Sequence, residues 1–176
     1  MIWLSNSTLA RLRDQLRSMG QRPSIVAPNA NMTPESLEMM QILGEYGPLC
    51  EAMYLMMSAD GKVTNDEREV LKGALRNLSG DSLRSAHIEA MLDAASRNVA
   101  DHGREKRMAE VVAALHEDKV RAEVAFVLAA AIAFADNAIA DEENDTLNAL
   151  AEGLGIDESR ANELLDTVEH DMEKKP

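Results

Sequence analysis

Two stretches of the chain, 76 positions apart, repeat one another. Residues 59–67 and 135–143 each begin with Ala-Asp, continue with Gly or Asn, and carry a Glu seven positions after the Asp. Each follows an apolar run, and a Leu lies four positions after each Glu. Self-similarity at a fixed spacing constrains the architecture more than any local signal. It predicts two related helix–acidic loop–helix halves, at about residues 48–78 and 119–153, which can face each other across a pseudo-twofold axis.

The periodicity of apolar residues from residue 33 onward is helical, and no segment shows sustained alternation of apolar and polar residues. Two segments, 49–57 and 120–135, are apolar on almost every face, which is typical of helices in the centre of a bundle. The sequence therefore predicts an all-α fold, a bundle of roughly eight helices built from the two halves.

Several helix boundaries have clear signals. Thr33-Pro34 predicts the start of a helix that ends near Gly44, and Gly47-Pro48 predicts the start of the next one. The spacing of Thr64 and Glu67 is that of a capping box, in which the two residues bond to each other's backbone at the start of a helix. Asp118 is a capping residue and predicts the start of the second central helix.

The charge balance excludes some classes of partner. The chain has 176 residues, with 18 basic and 31 acidic side chains and a net charge of −13. A general binder of nucleic acid or of anionic membranes needs basic surface, so neither function is expected. The single cysteine, Cys50, excludes an internal disulfide and a cysteine zinc site, and predicts a cytoplasmic protein. The longest apolar run, 124–135, is too short to span a bilayer, so stable membrane insertion is not expected.

Residues 1–34 differ in composition from the main domain predicted over residues 35–176. They contain a basic amphipathic helix whose face is Leu9, Leu12, Leu16 and Met19, and then a Pro-rich linker. The favoured interpretation is a helix docked on the acidic body, with which its arginines are complementary. The alternative is a segment that binds a partner or a membrane surface.

The acidic loops contain the candidate ligands for a metal ion. Laid on the twelve-position calcium loop of an EF-hand, residues 56–67 place Asp60 at position 5 and Glu67 at position 12, but apolar or weak ligands stand at positions 1 and 3. Neither loop should therefore hold calcium alone. A site shared between the loops would use four carboxylates, those of Asp60, Glu67, Asp136 and Glu143. Such ligands favour Ca²⁺ or Mg²⁺ over Zn²⁺.

A metal-free interpretation stays open beside this one. Asp60-Gly61 is also a tight turn, and Glu67 also completes a capping box. In the second copy, however, Ala140 stands where the first has Thr64, so Glu143 lacks the partner of a regular capping box. Because the Glu recurs where the capping reason for it is weaker, a shared ion site is the favoured hypothesis.

The run from Ala59 to Val63 followed by Glu67, and the second Ala135-Asp136 followed by Glu143, resemble the tellurite-resistance TerB family. Its superfamily includes the N-terminal domain of DnaJ-like membrane co-chaperones. The resemblance covers about residues 37–170. It implies an all-helical domain of two related halves, with an acidic cluster proposed to bind divalent cations, and a stress-associated role without established catalysis. Asn137 departs from the Gly usual in the motif, but Asn tolerates a left-handed backbone.

No enzyme motif is present in the sequence. It has no nucleophile elbow, P-loop or dinucleotide fingerprint, and no His three residues after a Glu as in di-iron bundles. We therefore expect no catalytic residues and no organic cofactor. Two functions remain as hypotheses: a cation-binding module that docks protein partners, and a metal-free helical interaction domain. The sequence leaves self-association open.

Overall fold

The computed structural model describes residues 6–18, 31–135 and 139–173. Over these residues the chain forms helices and connecting turns, with no strand. The eight helices are α1 (Asn6–Ser18), α2 (Pro34–Met57), α3 (Asn65–Leu78), α4 (Ser85–His102), α5 (Arg104–Leu115), α6 (Lys119–Ala133), α7 (Asp141–Gly153) and α8 (Glu158–Glu173). The predicted all-α fold of roughly eight helices is confirmed. The relation between its two halves stays a prediction.

The helices α2 and α6 form the centre of the bundle, and they pack against each other more extensively than any other described pair. Every residue of α6 from Val124 to Ala133 is buried, because this part of the helix has no polar face. The last part of α2, from Leu49 to Met57, is buried in the same way except for Tyr54. The remaining helices cover this pair with one apolar face each.

One predicted boundary is wrong. The sequence predicts a helix that ends near Gly44 and a second that begins at Gly47-Pro48, but α2 runs without a break from Pro34 to Met57. A proline inside a helix removes the hydrogen bond to the carbonyl four residues earlier, which here belongs to Gly44, and its ring crowds the residue before it. Glycine at both of these positions lets the backbone adjust. Burial of the following apolar turns then favours continuing the helix.

The other predicted helix starts, at Thr33, Thr64 and Asp118, are confirmed by their hydrogen bonds. The Thr33 hydroxyl accepts from the backbone N–H of Ser36 at 3.2 Å, and a carboxylate oxygen of Asp118 accepts from that of Arg121 at 3.1 Å. Thr64 and Glu67 form the complete capping box. These bonds satisfy backbone donors that the first turn of a helix leaves without an intrahelical partner.

The N-terminal helix α1 lies against α3 and α6. Its face of Leu9, Leu12 and Leu16 is buried in the main core, as the docked interpretation of this segment predicts. Met19 and most of the predicted linker lie outside the described residues. Over the part of the chain that is described, no helix is long and apolar enough to cross a membrane.

Candidate divalent-cation site

The first acidic junction is the turn between α2 and α3. Asp60 lies on this turn and is exposed, and its Oδ1 accepts from the backbone N–H of Lys62 at 2.9 Å. Gly61 has a φ of 76°, a left-handed conformation that glycine adopts without steric cost. The turn therefore presents the Asp60 carboxylate at the surface while one of its oxygens holds the backbone of the turn.

Glu67 lies at the base of the same junction and is only 4% exposed. Its Oε2 accepts from the backbone N–H of Thr64 at 2.8 Å and from the Thr64 hydroxyl at 2.7 Å. The Thr64 hydroxyl oxygen in turn accepts from the backbone N–H of Glu67 at 3.2 Å. Among the described residues no hydrogen bond engages Oε1 of Glu67, so capping uses one of the two carboxylate oxygens.

The second junction, between α6 and α7, repeats half of this arrangement. Glu143 is 8% exposed, and its Oε2 accepts from the backbone N–H of Ala140 at 2.8 Å. Ala140 has no side-chain acceptor, so the return bond that Thr64 supplies in the first junction cannot form here. Asp136, the remaining predicted ligand, lies outside the described residues, as do its neighbours 137 and 138.

An arginine from α5 holds the first junction in place. Arg104 donates to the backbone carbonyl of Leu55 at 2.7 Å and to the Ser58 hydroxyl at 2.8 Å. The Leu55 carbonyl is one of the last in α2, where helix carbonyls lack intrahelical donors and carry partial negative charge. Burial lowers the pKa of the Arg104 guanidinium, which nevertheless stays charged at neutral pH. The guanidinium therefore caps α2 immediately before the acidic turn.

The sequence model of the family described as tellurite resistance protein TerB matches residues 49–166. The chain belongs to this family. The matched TerB region begins inside α2, ends inside α8 and includes both acidic junctions. The comparisons with curated proteins and with solved structures found no significant match. The resemblance expected from the paired acidic motif is thus confirmed at the level of the family.

In this TerB-family chain the structure gathers only part of the predicted ligand set. Asp60 and Glu67 occupy one junction and Glu143 the start of α7, but no group of three or more His, Cys, Asp or Glu side chains suited to a metal forms among the described residues. Since Asp136 is outside those residues, the complete four-carboxylate set stays a prediction. The oxygens of the described carboxylates are hard ligands of the kind that Ca²⁺ and Mg²⁺ prefer.

Sequence reasoning missed the charged side chains that fix the central helices. Glu51 in α2 forms a two-pronged ion pair with Arg107 of α5, at 2.6 and 2.7 Å. Arg121, only 2% exposed, donates to the Glu45 carbonyl at 2.8 Å and lies 3.3 Å from the Asp118 carboxylate. A signal was present for Glu51, because it is an isolated charge in the apolar stretch 49–57, and buried charges need partners. Arg121 stands between Lys119 and Glu123, so the sequence did not single it out.

Proposed function

We propose that this TerB-family chain is a non-enzymatic, stress-associated domain of the cytoplasm that binds a divalent cation at an acidic site shared by its two junctions and docks partner proteins. The observation that carries the proposal is the recurrence of a buried glutamate at the start of α3 and of α7. Glu67 and Glu143 make the same 2.8 Å backbone bond although Ala140 cannot complete a capping box. A second role, as a cation ligand, explains why a glutamate stands at both junctions.

The packing of the central helices supports a shared site. Arg121 at the start of α6 bonds to the carbonyl of Glu45, and the part of α2 that follows Glu45 contains its buried residues. Because α6 is buried almost throughout, we infer that it runs beside this half of α2 in the same direction. From the contact of Arg121 with Glu45, each helix continues for about 18 Å to its C-terminal end. The two acidic turns then emerge at the same end of the bundle.

The chemistry of such a site follows from the charges. Four carboxylates at one end of a bundle repel one another, so their charges destabilise the folded protein in the absence of a cation. A divalent ion removes this repulsion. The Oε1 of Glu67, which accepts no hydrogen bond from the residues that the structure describes, and the exposed carboxylate of Asp60 are oxygen ligands of the kind that Ca²⁺ and Mg²⁺ prefer.

A metal-free interaction domain is the second candidate function. The observation in its favour is the complete capping box at Thr64 and Glu67, together with the turn in which Asp60 holds the backbone of Lys62. Both contacts account for these acidic residues at the first junction without an ion. At the second junction the backbone N–H of Ala140 donates to Glu143, without a capping hydroxyl.

Thermal unfolding of EDTA-treated protein, with and without millimolar Ca²⁺ or Mg²⁺, separates the two functions. An ion that binds only the folded state stabilises it by about 2.7 kcal/mol at a hundredfold excess over Kd. We expect such a gain for the natural sequence and its loss in Asp60→Asn. The control is Asp93→Asn, which removes an exposed carboxylate from α4 and should keep the gain. Equal melting temperatures with and without both ions would favour the metal-free domain.

A further inference from the structure

The N-terminal helix α1 lies on two helices of the family region without belonging to that region. The TerB match covers residues 49–166 and includes all of α3 and α6, whereas α1 ends at Ser18. Helix α1 contacts both α3 and α6. We call the part of α3 and α6 that α1 covers the α1-binding surface. It is a surface of the family region whose occupant comes from outside that region.

The α1-binding surface is apolar. The side chains that α1 places on it, those of Leu9, Leu12 and Leu16, are buried in the same hydrophobic core as residues 124–133 of α6 and the apolar face of α3. Without α1, apolar side chains of α3 and α6 would be in contact with water. Exposed apolar patches are typical of sites at which proteins bind one another.

The charges of α1 match the place where it ends. A Cβ added to Gly80, which follows α3, would lie 2.5 Å from Nη2 of Arg17 and 3.8 Å from Cδ of Arg13. Both arginine side chains therefore lie against the turn that ends α3. The C-terminal end of a helix carries partial negative charge and attracts cations. The structure thus shows the kind of helix that this surface accepts, with leucines at three- and four-residue spacing and arginines near its C-terminal end.

Helix α1 can leave this surface while the rest of the bundle stays folded. The central pair of α2 and α6 is also covered by α3, α4, α5, α7 and α8, so most of the core stays packed without α1. Helix α1 has 13 residues, a length at which an isolated helix is marginal in water. Its connection to α2, residues 19–33, is fifteen residues long, and a chain of that length reaches about 50 Å when fully extended.

We propose that the α1-binding surface is a docking site for an amphipathic helix of a partner protein, and that α1 blocks this site until the partner displaces it. The partner helix presents leucines in the pattern of Leu9, Leu12 and Leu16, and Arg or Lys at its C-terminal end. This inference rests on the partner docking in the proposed function and assigns it a surface. It does not depend on the cation site. The apparent affinity for the partner falls in proportion to the fraction of molecules in which α1 is displaced.

Hydrogen exchange of the natural full chain measures whether α1 opens by itself. Helix α7 is the matched comparison, because it also has 13 residues and packs on the core with one face. After correction for intrinsic rates, we expect the amides of residues 9–16 to exchange at least about tenfold faster than those of residues 144–151, because only α1 opens without the rest of the domain. Exchange of α1 as slow as that of α7 would overturn the proposal.

A labelled peptide of residues 6–18 then stands in for the partner helix, and fluorescence anisotropy measures its binding to the full chain. Leu12→Asp in the chain places a charge on the buried face of α1, and Gln15→Asp makes the matched change on its exposed face. We expect the Leu12→Asp chain to bind the peptide at least about tenfold more tightly than the natural chain, because its surface is uncovered more often. The Gln15→Asp chain should bind it as weakly as the natural chain. Circular dichroism checks that both variants fold, and the exchange experiment needs no variant.

Two altered peptides test the chemistry of the occupant on the Leu12→Asp chain. A peptide that itself contains Leu12→Asp lacks the apolar face, and we expect it not to bind. A peptide with Arg13→Glu and Arg17→Glu keeps the leucines but reverses the charge beside the end of α3. We expect it to bind about tenfold more weakly than the natural peptide. Equal binding of all three peptides would contradict the proposed occupant.

Two further results would overturn the proposal. One is equal binding of the natural peptide by the natural and Leu12→Asp chains. The other is a natural-sequence dimer that Leu12→Asp converts to a monomer, which would make α1 of a second copy the occupant. Asp60→Asn is the control for the proposed function, since it removes a proposed cation ligand and should leave both exchange and peptide binding unchanged. Failure of the cation site and failure of the α1-binding surface are therefore measured separately.

Discussion

At the residue before the following helix, the two acidic junctions have the same backbone conformation and different side-chain support. The residue before α3, Thr64, has φ −86° and ψ 156°, and the residue before α7, Ala140, has φ −69° and ψ 155°. In both, a buried glutamate accepts the backbone N–H of that residue at 2.8 Å. Only the first has a hydroxyl to return the bond. The glutamate is therefore the common element of the two junctions, and the threonine is an addition to it.

The largest expected change in stability concerns Arg104, the α5 residue that holds the first junction in place. Arg104→Ala removes the guanidinium that caps α2 at Leu55 and Ser58. Because hydrogen bonds from a charged donor contribute more than neutral ones, we expect a loss of about 2 kcal/mol in the free energy of unfolding. Urea denaturation measures it. The control is Arg97→Ala, which removes an exposed arginine from α4 and should change stability by less than about 0.5 kcal/mol. Equal effects of the two substitutions would show that Arg104 does not support the junction.

A smaller loss of stability is expected when the first junction is given the alanine of the second. Thr64→Ala reproduces the half box of Ala140, since it removes the acceptor for the backbone N–H of Glu67. Loss of a capping side chain typically costs about 1 kcal/mol. The same urea experiment measures the change. No loss of stability would mean that the glutamate alone caps α3. The threonine would then add nothing to the free energy of unfolding.

The reverse conversion should have the smallest effect and the opposite sign. Ala140→Thr provides the missing acceptor at a residue whose backbone already matches that of Thr64. We expect a gain of about 0.5 kcal/mol, because a capping residue at this position satisfies one more backbone donor. Ala149→Thr, at an exposed position inside α7, is the control and should give no gain. A loss of stability in Ala140→Thr would indicate that the second junction is shaped by something other than capping.

Local signals predicted the helices well, and contacts between distant residues explain where prediction failed. Thr33, Thr64 and Asp118 mark helix starts because capping is decided within four residues. The break predicted at Gly47-Pro48 does not occur, because burial of the following part of α2 outweighs one lost hydrogen bond. Sequence signals that depend only on neighbouring residues do not take that burial into account.

The sequence pointed to the two junction glutamates but not to the side chains that hold the junctions in place. The repeat singled out Glu67 and Glu143, and both are buried at equivalent helix starts. Arg104 was not predicted, because its partners Leu55 and Ser58 lie more than forty positions away and one of them is a backbone carbonyl, which leaves no pattern in the sequence. Cation binding and the pairing of Asp60 with Asp136 both stay predictions.

A double-mutant cycle between Asp60→Asn and Asp136→Asn tests the shared site most directly, with unfolding free energies measured in EDTA and in Ca²⁺. If the two carboxylates share a site, either substitution alone relieves their repulsion in EDTA and abolishes the stabilisation by Ca²⁺, and the second adds little more. The account therefore predicts a coupling energy above about 0.5 kcal/mol in both conditions. Additivity within about 0.5 kcal/mol in both would contradict it.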